Sequence, residues 1–145
     1  MHASKQGAAM NQLLIDTNVY VAFKRNEANV VNLLRQAAAI AINSVVLGEL
    51  LAGFRGGRRE AENRRDLDLF LDSPRVTMLP LDEGTANFFA LVFNQLKNQG
   101  TPIPTNDIWI GASAMQHGLS LASLDNHFSK ISGLIISPGL REVQP

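Results

Sequence analysis

Leu13-Leu14-Ile15-Asp16-Thr17-Asn18 decides the fold of this 145-residue chain. An unbroken apolar run that ends in a carboxylate and then in small polar residues reads as a strand running straight into a helix. Residues 11–16 form the expected strand, and Thr17 or Asn18 is the expected cap of a helix continuing through 19–25.

The same alternation repeats outward from this point. A second helix is expected over 27–38, with Val30, Val31, Leu33 and Leu34 on its inner side, followed by a short strand at 40–43. Ser44 is the expected cap of a helix over 45–54, which Gly56-Gly57 breaks. A charged helix over 58–71 leads to a third strand at 75–81. Asp82 then caps a long amphipathic helix that stops at Gly100. After Thr101-Pro102-Ile103-Pro104-Thr105-Asn106, a helix spans 107–117 with Gly118 behind it, then a strand at 119–124. A turn at 129–132 and a fifth, short strand at 134–137 complete the pattern. Strand and helix alternate throughout, so the fold class is α/β, a mostly parallel sheet with helices on both faces.

Composition narrows the chemistry. Thirteen basic and thirteen acidic side chains cancel, so any polyanion must be held by a local patch rather than by net charge. The absence of cysteine removes disulfides, iron–sulfur clusters and thiolate zinc sites. His2, His117 and His127 are too dispersed for a zinc cage, so a metal would rest on carboxylate oxygens, which favours Mg²⁺ or Mn²⁺. The longest apolar stretch, 37–47, is too short to cross a bilayer and contains Asn43 and Ser44, so a cytoplasmic protein with no membrane partner is expected. Residues 1–10 read as a disordered extension, with Met10 as an alternative start, and 11–145 as one domain.

Within that frame four acids stand out. Asp16 and Asp125 each follow a strand, and Asp107 opens a helix, so all three should face the crevice beyond the carboxyl ends of the strands. Each also has a duller role: Asp16 as a cap, Asp107 as a partner of the helix dipole, Asp125 as a turn residue. Glu49 is harder to dismiss. It lies on an apolar helix beside Val46, Leu50 and Gly53, where a carboxylate needs a metal or an arginine to answer it. Gathered together, four carboxylates repel one another unless a cation joins them.

Other features carry less. The segment 53–59 is rich in glycine and arginine, but it follows a helix and lacks the Gly-Lys-Ser/Thr ending of a phosphate loop. With Arg64 and Arg65 it reads either as a solvated helix face or as a local contact for a phosphate backbone, through Arg55, Arg58 and Arg59. Packing is the expected role of Trp109 and His127, and helix capping that of His117.

As a set, Leu14-Ile15-Asp16-Thr17-Asn18, residues 43–50, Asn106-Asp107-Ile108-Trp109-Ile110-Gly111-Ala112 and Ser123-Leu124-Asp125-Asn126-His127-Phe128 resemble the PIN-domain nucleases, most closely the VapC-type toxins of bacterial toxin–antitoxin pairs. The resemblance extends over 11–137. It implies a PIN-like α/β/α sandwich with about five strands. Asp16, Glu49, Asp107 and Asp125 become the catalytic and metal-binding residues, and Asn18 and Ser123 the supporting polar groups. It further implies endonucleolytic cleavage of RNA, a homodimer, and silencing by a cognate VapB-type antitoxin. Ser123 departs from the Thr common in the family, as do Trp109 and Gly111 from smaller aliphatic residues and Ala; no carboxylate is lost.

The mechanism then expected has Asp16 and Asp107 as direct ligands of Mg²⁺ or Mn²⁺. Glu49 and Asp125 serve a second ion or hold waters, and the products carry 5′-phosphate and 3′-hydroxyl ends. The alternatives are a DNA-directed metal nuclease of flap-endonuclease type and a non-catalytic PIN-like interaction module. A signalling receiver domain fits poorly, because the third strand ends Leu79-Pro80-Leu81 and the last ends in Ser137 rather than a lysine.

Overall fold

A computed structural model describes residues 11–138 and residue 140. The expected extension at 1–10 lies outside the described residues. In chain order the elements are β1 (Gln12–Ile15), α1 (Thr17–Lys24), α2 (Ala28–Gln36), β2 (Ala39–Asn43), α3 (Ser44–Arg55), α4 (Glu60–Asp72), β3 (Val76–Leu79), α5 (Glu83–Gln99), α6 (Thr105–His117) and β4 (Ser120–Ala122), then a 3-10 turn over His127–Lys130.

The sheet is four-stranded and parallel, in the order β3-β2-β1-β4. β1 lies between β2, where Leu13 aligns with Ile40, and β4, where Leu14 aligns with Leu121. Central placement explains its composition: Leu13, Leu14 and Ile15 are all at or below 1 % exposure, because helices cover both faces and leave no side for a polar alternation. Each such side chain stabilises the fold by about 1.5–3 kcal/mol relative to exposure. From β1 the chain steps outward to β2 and β3, then returns to the other side of β1 for β4. Strand order therefore reverses between β1 and β4, where a crevice opens at the carboxyl edge.

The fifth strand is smaller than expected. Residues 134–137 contribute one parallel bridge, Leu121 to Ile136, with the Leu121 N–H donating to the Ile135 carbonyl and the Ser137 N–H to the Leu121 carbonyl, each at 2.8 Å. β4 is only three residues long, so it offers little ladder to extend.

Two helix caps also differ from expectation. Asp16, not Thr17 or Asn18, caps α1: its backbone is extended (φ −88°, ψ 177°) and its Oδ1 accepts the Val19 N–H at 3.0 Å. Asn43, not Ser44, caps α3 in the same manner, accepting the Val46 N–H at 2.9 Å. The reason is common to both. Each strand passes into its helix without a loop, so its last extended residue takes the cap position and the next polar residue is already helical. Asp82 caps α5 as expected, within a capping box completed by Thr85. Gly100 and Gly118 end α5 and α6 with left-handed φ of 67° and 65°, which favours glycine.

Tyr20 of α1 meets Phe70 of α4 edge-on at 5.2 Å, and Phe23 lies 5.8 Å from the same ring, so these helices share one apolar layer. Phe89 of α5 stacks on Trp109 of α6 at 4.1 Å. Trp109 is thus a packing residue, as its sequence context implied.

Candidate active site

The reversal between β1 and β4 holds a cleft of about 210 Å³ lined by Asp16, Thr17, Asn18, Glu49, Asp107, Ile110 and Asp125. All four acids singled out in the sequence reach it, each by a different route. Asp16 is the residue after β1, Glu49 projects from the middle of α3, Asp107 lies in the first turn of α6, and Asp125 follows β4.

Asp16 is the most deeply placed, at 5 % exposure. Its Oδ1 takes the Val19 N–H and its Oδ2 accepts the Ser123 hydroxyl at 2.5 Å. Burial pushes its carboxyl up to about 6; the two hydrogen bonds oppose this, while the charges of Asp107 and Asp125 add to it. Ser123 is itself buried and accepts the Asp125 N–H at 2.9 Å, so one hydroxyl ties the acid after β1 to the loop after β4. Asn18 lies on the cleft wall, exposed.

Two polar side chains hold Glu49 in place. The Thr17 hydroxyl donates to its Oε1, and the Asn106 amide donates to its Oε2 at 3.0 Å. Asn43, wholly buried, fixes the helices that carry these acids. Besides capping α3 it donates through Nδ2 to the Ser113 hydroxyl of α6 at 2.9 Å and to the Trp109 carbonyl at 3.4 Å.

Asp107 and Asp125 make a tighter group, with His127 between them. The His127 Nδ1 lies 2.9 Å from Asp107 Oδ2 and 3.2 Å from Asp125 Oδ1, and the His127 backbone N–H donates to Asp125 Oδ1 at 2.9 Å. Burial raises the Asp107 carboxyl, His127 acts against that, and Asp125 and Glu49 reinforce it. The expectation that His127 merely packs is therefore corrected. The buried neighbour Phe128 does the packing, and the imidazole turns to the acids. An Asp-x-His spacing just after a strand was the available signal; Thr17, Asn106 and Asn43 gave none beyond being polar at element junctions.

A divalent ion fits this donor set. Carboxylate oxygens from four segments face one space, no lysine or arginine among the described residues lines it, and burial and mutual repulsion already lift Asp16 and Asp107 above the usual carboxylate range. One cation of charge two would relieve both.

The arginines are less convergent. Arg59 lines a second groove of about 570 Å³, which shares Thr17 and Glu49 with the acidic cleft and also carries Lys24 and Arg25. It pairs there with Glu62, and Arg55 pairs with Glu60 at 3.4 Å. Arg55 and Arg58 line neither space.

The chain is similar in sequence and in backbone to known proteins. A PIN domain family model matches residues 13–134. The chain is 33 % identical over 126 residues to ribonuclease VapC1 of Rickettsia felis, spanning 84 % of this chain and 92 % of that protein. Against ribonuclease VapC4 of Mycobacterium tuberculosis the identity is 27 % over 121 residues, spanning 83 % and 91 %. The backbone is similar to a chain of VapBC2 from Rickettsia felis, solved bound to a DNA fragment from its promoter, with a TM-score of 0.77 and 26 % identity over 86 % of this chain and 96 % of that one.

Proposed function

Because the chain belongs to the PIN domain family, we propose that its acidic cleft cuts RNA and that the protein is the ribonuclease toxin of a VapBC toxin–antitoxin pair. The observation that carries this reading is the convergence of Asp16, Glu49, Asp107 and Asp125 on one space at the strand-order reversal. The cofactor is Mg²⁺ or Mn²⁺. When bound, such an ion supplies acidified water and screening of charge on the scissile phosphate.

The residues divide the remaining work. Asp107 and Asp125 present their oxygens toward one another across the cleft mouth. Asp16 waits behind them, held ready by the Ser123 hydroxyl. Thr17 and Asn106 keep Glu49 in a single orientation, where an accepted proton or a bound water meets a fixed carboxylate. Arg59 in the adjoining groove is placed for the sugar–phosphate backbone of the substrate. The antitoxin is a VapB-type chain that covers the cleft, the toxin acts as a homodimer, and its site of action is the cytoplasm. No helix among the described residues is long and apolar enough to cross a membrane.

Incubation of the protein with matched RNA and DNA, with and without EDTA, tests the proposal. Cleavage of RNA alone is expected, leaving 5′-phosphate and 3′-hydroxyl ends, stopped by EDTA and reduced at least about a hundredfold in Asp107→Asn. DNA cleavage at an equal rate would transfer the chain to the DNA-directed class, and RNA binding without turnover would make it an interaction module. Arg59→Ala is expected to weaken RNA binding and to reduce the slope of log affinity against log salt by about 0.7, one phosphate contact on a single strand. An unchanged slope would remove Arg59 from the substrate path.

A further inference from the structure

We propose that His127 is a direct nitrogen ligand of the ion and that it makes this site select Mn²⁺ over Mg²⁺; the inference rests on the metal-nuclease reading above. One ligand atom from each of His127, Asp107 and Asp125 lies within 4.8 Å of the other two. The two contacts from Nδ1, 2.9 and 3.2 Å, match the spacing of adjacent vertices in an octahedral shell, about 3 Å for bonds of ~2.1 Å.

Hydrogen bonding alone serves this nitrogen poorly. Nδ1 carries at most one proton, and two carboxylate oxygens compete for it from different residues. An ion in the same space satisfies all three lone pairs together. The local backbone also holds the ring in place. The His127 N–H is bonded to Asp125, the 3-10 turn starts at this residue, and Phe128 anchors the turn in the core at 1 % exposure. The histidine side chain is 42 % exposed against 19 % for Asp107, so the ring is the more solvent-accessible of the two.

The donor type sets the preference. Mg²⁺ demands oxygen and dehydrates reluctantly, whereas first-row transition ions accept imidazole readily. A site of carboxylates alone discriminates weakly between Mg²⁺ and Mn²⁺, and one nitrogen tips it.

The test uses the untagged full chain loaded with Mn²⁺. Pulsed electron paramagnetic resonance should show the ¹⁴N coupling of a directly bound imidazole in wild type and none in His127→Ala. Calorimetric titration should show the ratio of Mn²⁺ to Mg²⁺ affinity falling about tenfold in His127→Ala and in His127→Gln, with Mg²⁺ affinity little changed. Far-ultraviolet circular dichroism identifies any variant that has lost its fold, and the glutamine form provides the second measurement. Mn²⁺ binding without nitrogen coupling in wild type, or an affinity ratio unaltered by both variants, would overturn the inference while leaving the nuclease reading intact. Failure of wild type to bind Mn²⁺ at all would overturn both.

Discussion

Asp16→Asn is expected to slow RNA cleavage at least about a thousandfold, roughly 4 kcal/mol of transition-state stabilisation, while making the ion-free protein more stable. The stability gain follows from the burial that lifts this carboxyl from 3.8 to about 6. A folded-state value above the unfolded one means that the native protein holds the proton more tightly. The penalty for ionising Asp16 is therefore absent below about pH 4, grows through the interval, and is complete above about pH 6, where it amounts to roughly 3 kcal/mol. Asparagine keeps the acceptor for the Val19 N–H and can donate to Ser123, whose hydroxyl oxygen already accepts from Asp125. Melting temperatures of both proteins in EDTA should converge near pH 4 and separate above pH 6, with the variant higher. Saturating Mn²⁺ should then raise wild type more than the variant, because the variant has lost one of the four carboxylates that would hold the ion. A variant that melts lower than wild type in EDTA at pH 7.5 would show that the carboxylate is not strained in the empty cleft.

Asn43→Ala is expected to cost about 3 kcal/mol of folding free energy, the largest effect of any polar truncation outside the acids. Loss of the α3 cap accounts for about 1 kcal/mol. The rest comes from the buried partners of its Nδ2: the Ser113 hydroxyl and the Trp109 carbonyl each lose a donor. The same residue joins α3, which carries Glu49, to α6, which carries Asp107. Cleavage by the variant should therefore fall about tenfold even where it remains folded, since misplacing reacting groups by about 1 Å can cost up to ~100-fold. Urea midpoints and single-turnover rates measured below the transition check both parts. A stability loss below 1 kcal/mol would reduce Asn43 to a surface-type cap.

How much of this was legible beforehand differs from element to element. Leu13-Leu14-Ile15 announced a strand because an unbroken apolar run ending in a carboxylate and small polar residues reads as one, and Asp82 with Gly100 bracketed α5 through capping chemistry that is entirely local. Asp16, Asp107 and Asp125 could be grouped because topology sends strand ends and helix starts to one edge, and Glu49 stood out as a carboxylate on an apolar helix. What local patterns could not convey was tertiary partnership. Glu49 needed an answer, but that Thr17 and Asn106 would supply it depends on how α3 lies against the starts of α1 and α6. Ser44 looked like the cap of α3, but the strand runs into that helix without a loop, so Asn43 takes the cap position and Ser44 is already helical. His127 was hidden because its bond to Asp107 spans 20 positions and a loop.

The sheet ends bear on how copies of the molecule meet. β3 pairs only with β2 among the described residues, is four residues long, and is followed at once by Pro80, which has no amide proton to donate. At the opposite margin the segment 134–137 already occupies the outer side of β4 through its bridge to Leu121. Neither margin offers a run of free backbone donors long enough to zip onto another chain. Among the described residues, a pairing of two copies would therefore rest on side chains of the helical surfaces rather than on strand addition.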